Sequence, residues 1–593
     1  MTLHSLIIET ITNKSSTMRL VLTLALAFFA HCLFAQTKWY NPLNTEVPVI
    51  QNQGWTNEIG KTFTRLPARA EKEVRKPVWE LSQQTAGLSI HFYTNAPEIT
   101  IRYGVTGSLA MNHMPATGVS GIDLYAIDEN GGWHRASGTY RFADTISYSF
   151  KKLFTGTFHK KGFEYQLFLP LYNGVKWMEI GIPENNYFEF VPLLKEKPII
   201  IYGTSIAQGG CASRPAMGWT NLLSRKLDYP VMNLAFSGNG PFEKAVVDLI
   251  NEQEAKAYVF DCLPNMGALS DDEVYKRVIY GVTTIRKRHK EPILLTDHIG
   301  YYNDETDTTT GSIWKRLNAV QERAYNDLKK QGVAQLYYLT RAAIHFPADG
   351  TVDYVHPNDL GMQAYADAYE NILREILSMP AGATATTRAV SQRREANGYE
   401  WKQRHELELQ MNGEQPPVNL IIGNSIVHYW AGPPEAHIAR GEKSWNQYLN
   451  DFRNMGFGWD RIENVLWRVY HGELDGFKAK NIVLMIGTNN IGGNTDEDVV
   501  TGIAFLLKQI RLRQPGAAIK LVGILPRRNT EKRIESINRQ LQQLARKEGY
   551  QFTEPGKQLL LASGKIDETL FTDGLHPNET GYSKLAPAIA PGH

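Results

Sequence analysis

The chain has 593 residues, a length that favours several domains over one. Its 42% hydrophobic and 21% charged content is that of an ordinary globular protein and excludes a disordered or fibrous one. A formal net charge of +2 gives no basic field, so composition supplies no case for a nucleic-acid partner.

Residues 1–35 read as a signal peptide. Arg19 precedes an apolar run over 20–30, too short to span a bilayer, and small Ala35 suits cleavage before Gln36. Met18 is a candidate start, because 1–17 has no targeting character. The expectation is an exported protein, periplasmic or secreted, with no stable membrane span in the mature chain; an uncleaved anchor is the alternative. Beyond this segment only Cys211 and Cys262 remain, which excludes a disulfide framework. One disulfide stays open, although two small buried thiols are the simpler reading.

Residues 36–192 are β-rich. The stretches 88–93 and 98–103 alternate with period two, as do 165–171 and 177–182, with Asn173-Gly174 as a hairpin turn between the last two. Aromatics are frequent and helical periodicity is scarce, which predicts an antiparallel β-sandwich. From 193 to 378 the pattern becomes α/β. Apolar runs at 199–202, 258–260 and 293–295 alternate with helical segments, one of which puts Ile313, Leu317, Val320, Ala324 and Leu328 on a single face. Residues 379–398, rich in Ala, Thr, Gly and Arg, read as a linker. A second α/β unit fills 399–593, with apolar runs at 420–422, 482–486 and 519–525 and a helix marked by Ile534, Ile537, Leu541 and Leu544.

The two α/β units share a constellation. Gly203-Thr204-Ser205-Ile206 and Gly423-Asn424-Ser425-Ile426 each end an apolar run. Asp353-Tyr354-Val355-His356-Pro357-Asn358 and Asp573-Gly574-Leu575-His576-Pro577-Asn578 follow at matched distances: each Asp lies 148 residues, and each His 151 residues, after its serine. Chance does not produce that agreement, so the segment is duplicated. A serine hydroxyl needs a base to take its proton, and the base needs a third group to fix its tautomer. Ser205 and Ser425 sit where a parallel strand gives way to a loop, the edge at which open sheets hold reactive groups. Oxyanion donors are also required. Candidates are Gly238 and Asn265 in the first unit, and Gly458 with its neighbour Trp459, and Asn489, in the second.

The order Gly-x-Ser, Gly, Asn, Asp-x-x-His resembles the SGNH, or GDSL, hydrolase family. The second unit also resembles the catalytic subunits of platelet-activating-factor acetylhydrolases through Asn464-Val465-Leu466-Trp467-Arg468, Gly472-Glu473-Leu474 and Gly487-Thr488-Asn489-Asn490. The first is similar to a bacterial branch in which the hydrolase follows a β domain carrying Gly-x-Asp-Leu-Tyr, here Gly121-Ile122-Asp123-Leu124-Tyr125.

The resemblance implies two flavodoxin-like α/β/α domains after the sandwich. It makes Ser205 and Ser425 nucleophiles, His356 and His576 bases, and Asp353 and Asp573 orienters. The donors would be the serine N–H, a backbone N–H near Gly238 or Gly458–Trp459, and the amide of Asn265 or Asn489. It implies no metal and no cofactor. Departures from the family pattern are Thr204 and Asn424 where Asp is usual, Trp459 where the second-block glycine aligns best, and Asn265, offset by about one position in Cys262-Leu263-Pro264-Asn265.

The expected activity is that of an esterase removing small acyl groups, O-acetyl on carbohydrate, at two sites. The alternatives are a lipid or phospholipid acylhydrolase, or a first copy that binds glycan without cleaving it. By residue type alone Trp459 and Trp467 read as core, and Gly-x-Asp-Leu-Tyr reads as a strand and turn. His113, His298, His428 and His471 lie near the blocks with no assigned role.

Overall fold

The computed structural model describes residues 36–590 apart from 157, 302–305, 308–310 and 397–398. The signal-peptide segment, 1–35, lies outside the described residues.

Two antiparallel sheets form the N-terminal sandwich. One runs in the order Thr37–Tyr40, Val175–Pro183, Glu98–Val105, Ile146–Lys151, Gly138–Arg141. The other runs Phe188–Phe190, Ser89–Thr94, Phe163–Phe168, Asp123–Ile127, Trp133–Arg135. Ile99, Ile101 and Tyr103 turn inward from the first sheet against Ile90, Phe92 and Leu167 of the second, while Glu98, Thr100 and Arg102 face outward. Asn173-Gly174 departs from expectation. It joins strands of different sheets, so it is a corner and no hairpin turn. The buried Asn173 amide sets the corner: Oδ1 accepts from Gly107 N at 2.7 Å, and Nδ2 donates to Ser108 O at 3.0 Å and to Ser120 Oγ at 2.9 Å.

Both α/β units have five parallel strands with the first strand second from one edge, the flavodoxin order. In the first unit the order is Val231–Ala235, Ile199–Gly203, Ala257–Asp261, Ile293–Thr296, Leu336–Leu339. In the second it is Phe452–Gly456, Asn419–Gly423, Asn481–Met485, Ala518–Val522, Gln551–Thr553. Continuous apolar runs are explained by burial on both faces. Ile199 and Ile201 pack with Trp219, Leu223 and Tyr369, whereas Ile200 and Tyr202 pack on the other side with Val246, Val278 and Leu317. The helix Gly311–Lys330 buries Leu317, Val320, Ala324 and Leu328, the face its periodicity marks.

The stretch 379–398 has the composition of a loose linker, but its residues 379–395 form a packed strap. Thr386, Thr387, Ser391, Gln392 and Arg393 are all buried. Thr386 Oγ1 donates to Asp498 O at 2.8 Å, Asn464 Nδ2 donates to Val390 O at 2.8 Å, and Arg393 pairs with the buried Glu164 of the sandwich. Asp228 of the first α/β unit accepts from Ser391 Oγ at 2.6 Å and from Trp467 Nε1 of the second at 2.9 Å. Each contact is a single polar group reaching another domain, which leaves no periodic trace in composition. Trp467 is therefore core, as its residue type suggests, at 4% exposure.

The Gly-x-Asp-Leu-Tyr stretch is the strand Asp123–Ile127 and also a latch. Buried Asp123 accepts from Arg214 Nη1 at 3.0 Å and from Ala216 N at 2.9 Å, and Tyr125 Oη accepts from Arg214 at 3.1 Å. The motif thereby docks the sandwich on the loop that follows the first serine. Cys211 and Cys262 are free buried thiols, so neither is spent on a crosslink.

Candidate active sites

Each serine begins a four-residue helix directly after the first strand of its sheet, Ser205–Gln208 and Ser425–His428. The strand must end in glycine for the turn to be this tight. A Cβ on Gly203 would lie 2.7 Å from Ala207 Cβ, and one on Gly423 would lie 2.5 Å from Met485 O. Thr204 and Asn424 stand where an Asp is usual and still cap the helix. Their side chains accept from Ile206 N at 3.4 Å and Ile426 N at 2.9 Å.

The second half of each site comes from the Asp-x-x-His loop. The residue after each Asp is left-handed, Tyr354 at φ 66 and Gly574 at φ 78. Asn358 and Asn578 close the loops as N-caps of the helices Asp359–Ile376 and Glu579–Ile589. The turn returns each imidazole over its own carboxylate. His356 Nδ1 lies 2.7 Å from Asp353 Oδ2, and His576 Nδ1 lies 2.7 Å from Asp573 Oδ2. The other ring nitrogen faces the serine: His356 Nε2 is 2.9 Å from Ser205 Oγ, and His576 Nε2 is 2.9 Å from Ser425 Oγ. An ionised carboxylate only accepts, so each Asp fixes the proton on Nδ1 and leaves Nε2 free to accept from the hydroxyl.

The electrostatics agree with that assignment. Burial alone would raise Asp573, but the His576 backbone N–H, the His576 ring and the Leu575 N–H outweigh it and hold the carboxyl below its ordinary value. Asp353 is lowered in the same way against burial, by the His356 backbone and ring and by Val355 N–H. His576 is lowered by burial, opposed by Asp573 and assisted by the Arg440 and Arg527 charges.

Sheet register relates the oxyanion candidates. Val231–Ala235 and Phe452–Gly456 occupy the same place beside the serine strand. Gly238 and Trp459 are each the third residue beyond, and both are left-handed, at φ 67 and φ 60. Trp459 is thus the counterpart of Gly238, and Gly458 precedes it. Ala257–Asp261 and Asn481–Met485 likewise take equivalent places, and Asn265 and Asn489 are each the fourth residue beyond, each in a 3-10 turn. Within the turns the expected one-position offset of Asn265 remains: Asn265 is the last residue of Leu263–Asn265, whereas Asn489 is the middle residue of Thr488–Asn490. Gly240 N donates to Asn265 Oδ1 at 3.0 Å, orienting that amide.

In the second site both candidate donors are braced from behind. Gln392 of the strap donates to Gly458 O at 3.1 Å and to Asp460 Oδ1 at 2.7 Å. In a trans peptide the C=O and the N–H point opposite ways, so holding Gly458 O toward the strap aims the Trp459 N–H away from it. Asp460 in turn accepts from Asn489 Nδ2 through its carbonyl at 2.9 Å, and its carboxylate is held by Trp401 Nε1 at 2.7 Å and Arg468 Nε at 2.9 Å. Arg468 also pairs with Glu473. Trp467-Arg468 and Gly472-Glu473, stretches that carry the acetylhydrolase resemblance, therefore act behind the site as its support.

One neighbour, Tyr172, escaped the sequence, and the four histidines near the blocks take definite places. Tyr172 of the sandwich donates from Oη to Ser205 O at 3.2 Å, and the His113 ring lies 5.6 Å from that of His356. His428 is buried beside the second site, pushed down to about 2 by burial and the Arg404, His437 and Arg468 charges. His298 and His471 are structural: His298 Nδ1 accepts from Gly300 N at 2.9 Å, and His471 stacks on Trp467 at 3.6 Å. His113, Cys211, Asp353 and His356 offer ligand atoms within 4.8 Å of one another. Both His356 nitrogens are already engaged, and burial pushes the Cys211 thiol up to about 12, so a cation there would have to break the Ser-His-Asp relay.

Comparison with known proteins agrees with this geometry. Models of the GDSL-like lipase/acylhydrolase family match residues 196–374 and 421–584. A model described as the N-terminus of the SGNH-hydrolase type of esterase matches 37–188. Human platelet-activating factor acetylhydrolase IB subunit alpha2 is 30% identical over 197 residues, 32% of this chain and 81% of that relative. The chain belongs to the GDSL-like lipase/acylhydrolase family. Human subunit alpha1 is 27% identical over 198 residues, again 32% of this chain and 80% of the relative. A GDSL-like lipase structure from Bacteroides ovatus superposes with a TM-score of 0.52 at 27% identity, covering 58% of this chain and all but 2% of its own, that is 98%. As a member of the GDSL-like family the protein is a carboxylic ester hydrolase with two such units in one chain. Among the described residues no helix is long and apolar enough to cross a membrane.

Proposed function

We propose that this chain is an exported two-site serine esterase that removes O-acetyl groups from carbohydrate. The observation that carries it is the pair of Ser-His-Asp relays, each with 2.9 Å and 2.7 Å contacts, at equivalent sheet edges. The serine attacks the ester carbonyl as His Nε2 takes its proton. The oxyanion forms toward the serine N–H, the Gly238 or Trp459 N–H and the Asn265 or Asn489 amide. The imidazolium then protonates the departing sugar oxygen, and water, deprotonated by the same ring, releases acetate and restores the serine. The matching geometry supports catalysis at both sites over a first copy that only binds.

The relatives' name, acetylhydrolase, supports a small acyl group. A cavity of about 430 Å3 touches the end of the helix that Ser425 begins, at His428, and its Glu400, Gln403, Arg404, Glu435 and His437 offer hydrogen-bonding groups that support a hydroxyl-rich substrate over an alkyl tail. The test is chain length. With Ser205→Ala and Ser425→Ala proteins, nitrophenyl acetate should be hydrolysed at least about tenfold faster than the octanoate by kcat/KM. Faster octanoate turnover identifies a lipid acylhydrolase instead.

The lowered His576 pKa sets a pH signature. The base works only as neutral imidazole, and burial favours that form to lower pH, while lowered Asp573 stays ionised throughout. In the Ser205→Ala protein, the acid limb of kcat/KM should have its midpoint below about 6.5, the ordinary histidine value. A midpoint near 7 or above would contradict this placement of the base.

A further inference from the structure

The two sites share their relay but differ at one residue. At Gly238 an added Cβ would meet nothing within 4 Å, so that corner of the first site is open space. The second site fills it with an indole. Trp459 keeps φ 60, a conformation that large L-residues avoid, and the residue is 36% exposed. Strain at a bulky residue combined with exposure of its ring points to use of that ring.

The indole is also not alone. Tyr399 lies under it at 6.2 Å and 27°. The buried Tyr399 ring is 4.6 Å from His428, His428 stacks with Tyr429 at 5.4 Å, and Tyr429 is 5.3 Å from catalytic-loop His576. A run of rings therefore leads from Trp459 to the base. Tyr399 and His428 also line a cavity with Gln403, Glu435 and His437. Flat apolar faces beside hydrogen-bonding groups match a pyranose, whose C–H faces stack on rings while its hydroxyls point sideways to acceptors and donors.

We propose that Trp459, backed by Tyr399, seats a pyranose ring of the acetylated substrate at the second site, and that the first site, with Gly238, has no such seat. The inference rests on Ser425 being the nucleophile. It makes the two sites unequal: the second selects esters carried by a sugar ring that stacks, and the first accepts esters on bulkier or branched positions.

The test uses the full chain with Ser205→Ala, so that only the second site turns over. Trp459→Gly is chosen because glycine accepts the left-handed backbone. The ratio of kcat/KM for chemically acetylated cellotetraose to that for nitrophenyl acetate should fall about tenfold or more, with Trp459→Phe recovering most of it. In the Ser205→Ala/Ser425→Ala protein, unacetylated cellotetraose should quench tryptophan fluorescence, and Trp459→Gly should remove the quench. An equal fall for both esters, or a selective loss of the octanoate ester, would overturn the sugar seat. If the doubly substituted protein still hydrolyses nitrophenyl acetate as wild type does, Ser425 is not the nucleophile; fluorescence then still reports whether the ring seats a sugar.

Discussion

Replacing Ser205 and Ser425 together by alanine should lower ester hydrolysis by several orders of magnitude, on the order of 10^4 to 10^6, while each single replacement leaves the activity of the other site. The expectation follows from two self-contained relays. Each serine is presented by its own strand-to-helix turn and faces its own imidazole at 2.9 Å. Neither relay borrows a residue from the other, so the losses should be additive in rate and not synergistic. Acetate release from nitrophenyl acetate by the four proteins checks this. If Ser425→Ala alone removes all activity, the first unit is a binding or structural copy toward this ester. If the double variant works as well as wild type, the assignment of both nucleophiles is wrong.

Replacing Asp573 by asparagine in the Ser205→Ala protein should cost about 10^4 in kcat, a loss the shape of the loop makes hard to escape. Asp573 Oδ1 accepts from His576 N at 2.8 Å and from Leu575 N at 3.0 Å. An asparagine must keep its oxygen on those two donors, which turns its NH2 group toward His576 Nδ1. That nitrogen then becomes an acceptor, the ring proton moves to Nε2, and the base can no longer take the serine proton. Asp353 makes the same two backbone contacts, at 2.8 and 3.2 Å, so Asp353→Asn should silence the first site equally in the Ser425→Ala protein. Retention of more than about a hundredth of the parent kcat in either would mean that the carboxylate does not set the tautomer.

The proposed catalytic constellation was legible because its chemistry is local and repeated. Apolar strands, a glycine before each serine, and Asp three residues before His all leave marks in the sequence, and duplication made the spacing visible. What stayed hidden depends on single contacts between distant segments. Asn173 looks like a hairpin residue until its amide is seen holding 107, 108 and 120 in place. Tyr172 and His113 reach the first site from the sandwich, and no periodicity announces that. Trp459 looks like core by residue type; its left-handed backbone turns the ring outward, and backbone sign is not written in a lone tryptophan. Asn265 matches Asn489 when positions are counted from the end of the strand and stands one position later within its 3-10 turn.

The bond from Gln392 to Gly458 has a meaning for anyone dividing the chain. A gene fragment starting at 399 encodes Ser425, Asp573, His576, Trp459 and Asn489, everything a map of motifs would call the second enzyme. It omits Gln392, the amide that orients the Gly458–Trp459 peptide and one of the groups holding Asp460. The working unit is larger than the repeating unit, and a clone drawn along the repeat would carry the reactive groups without the part that aims them.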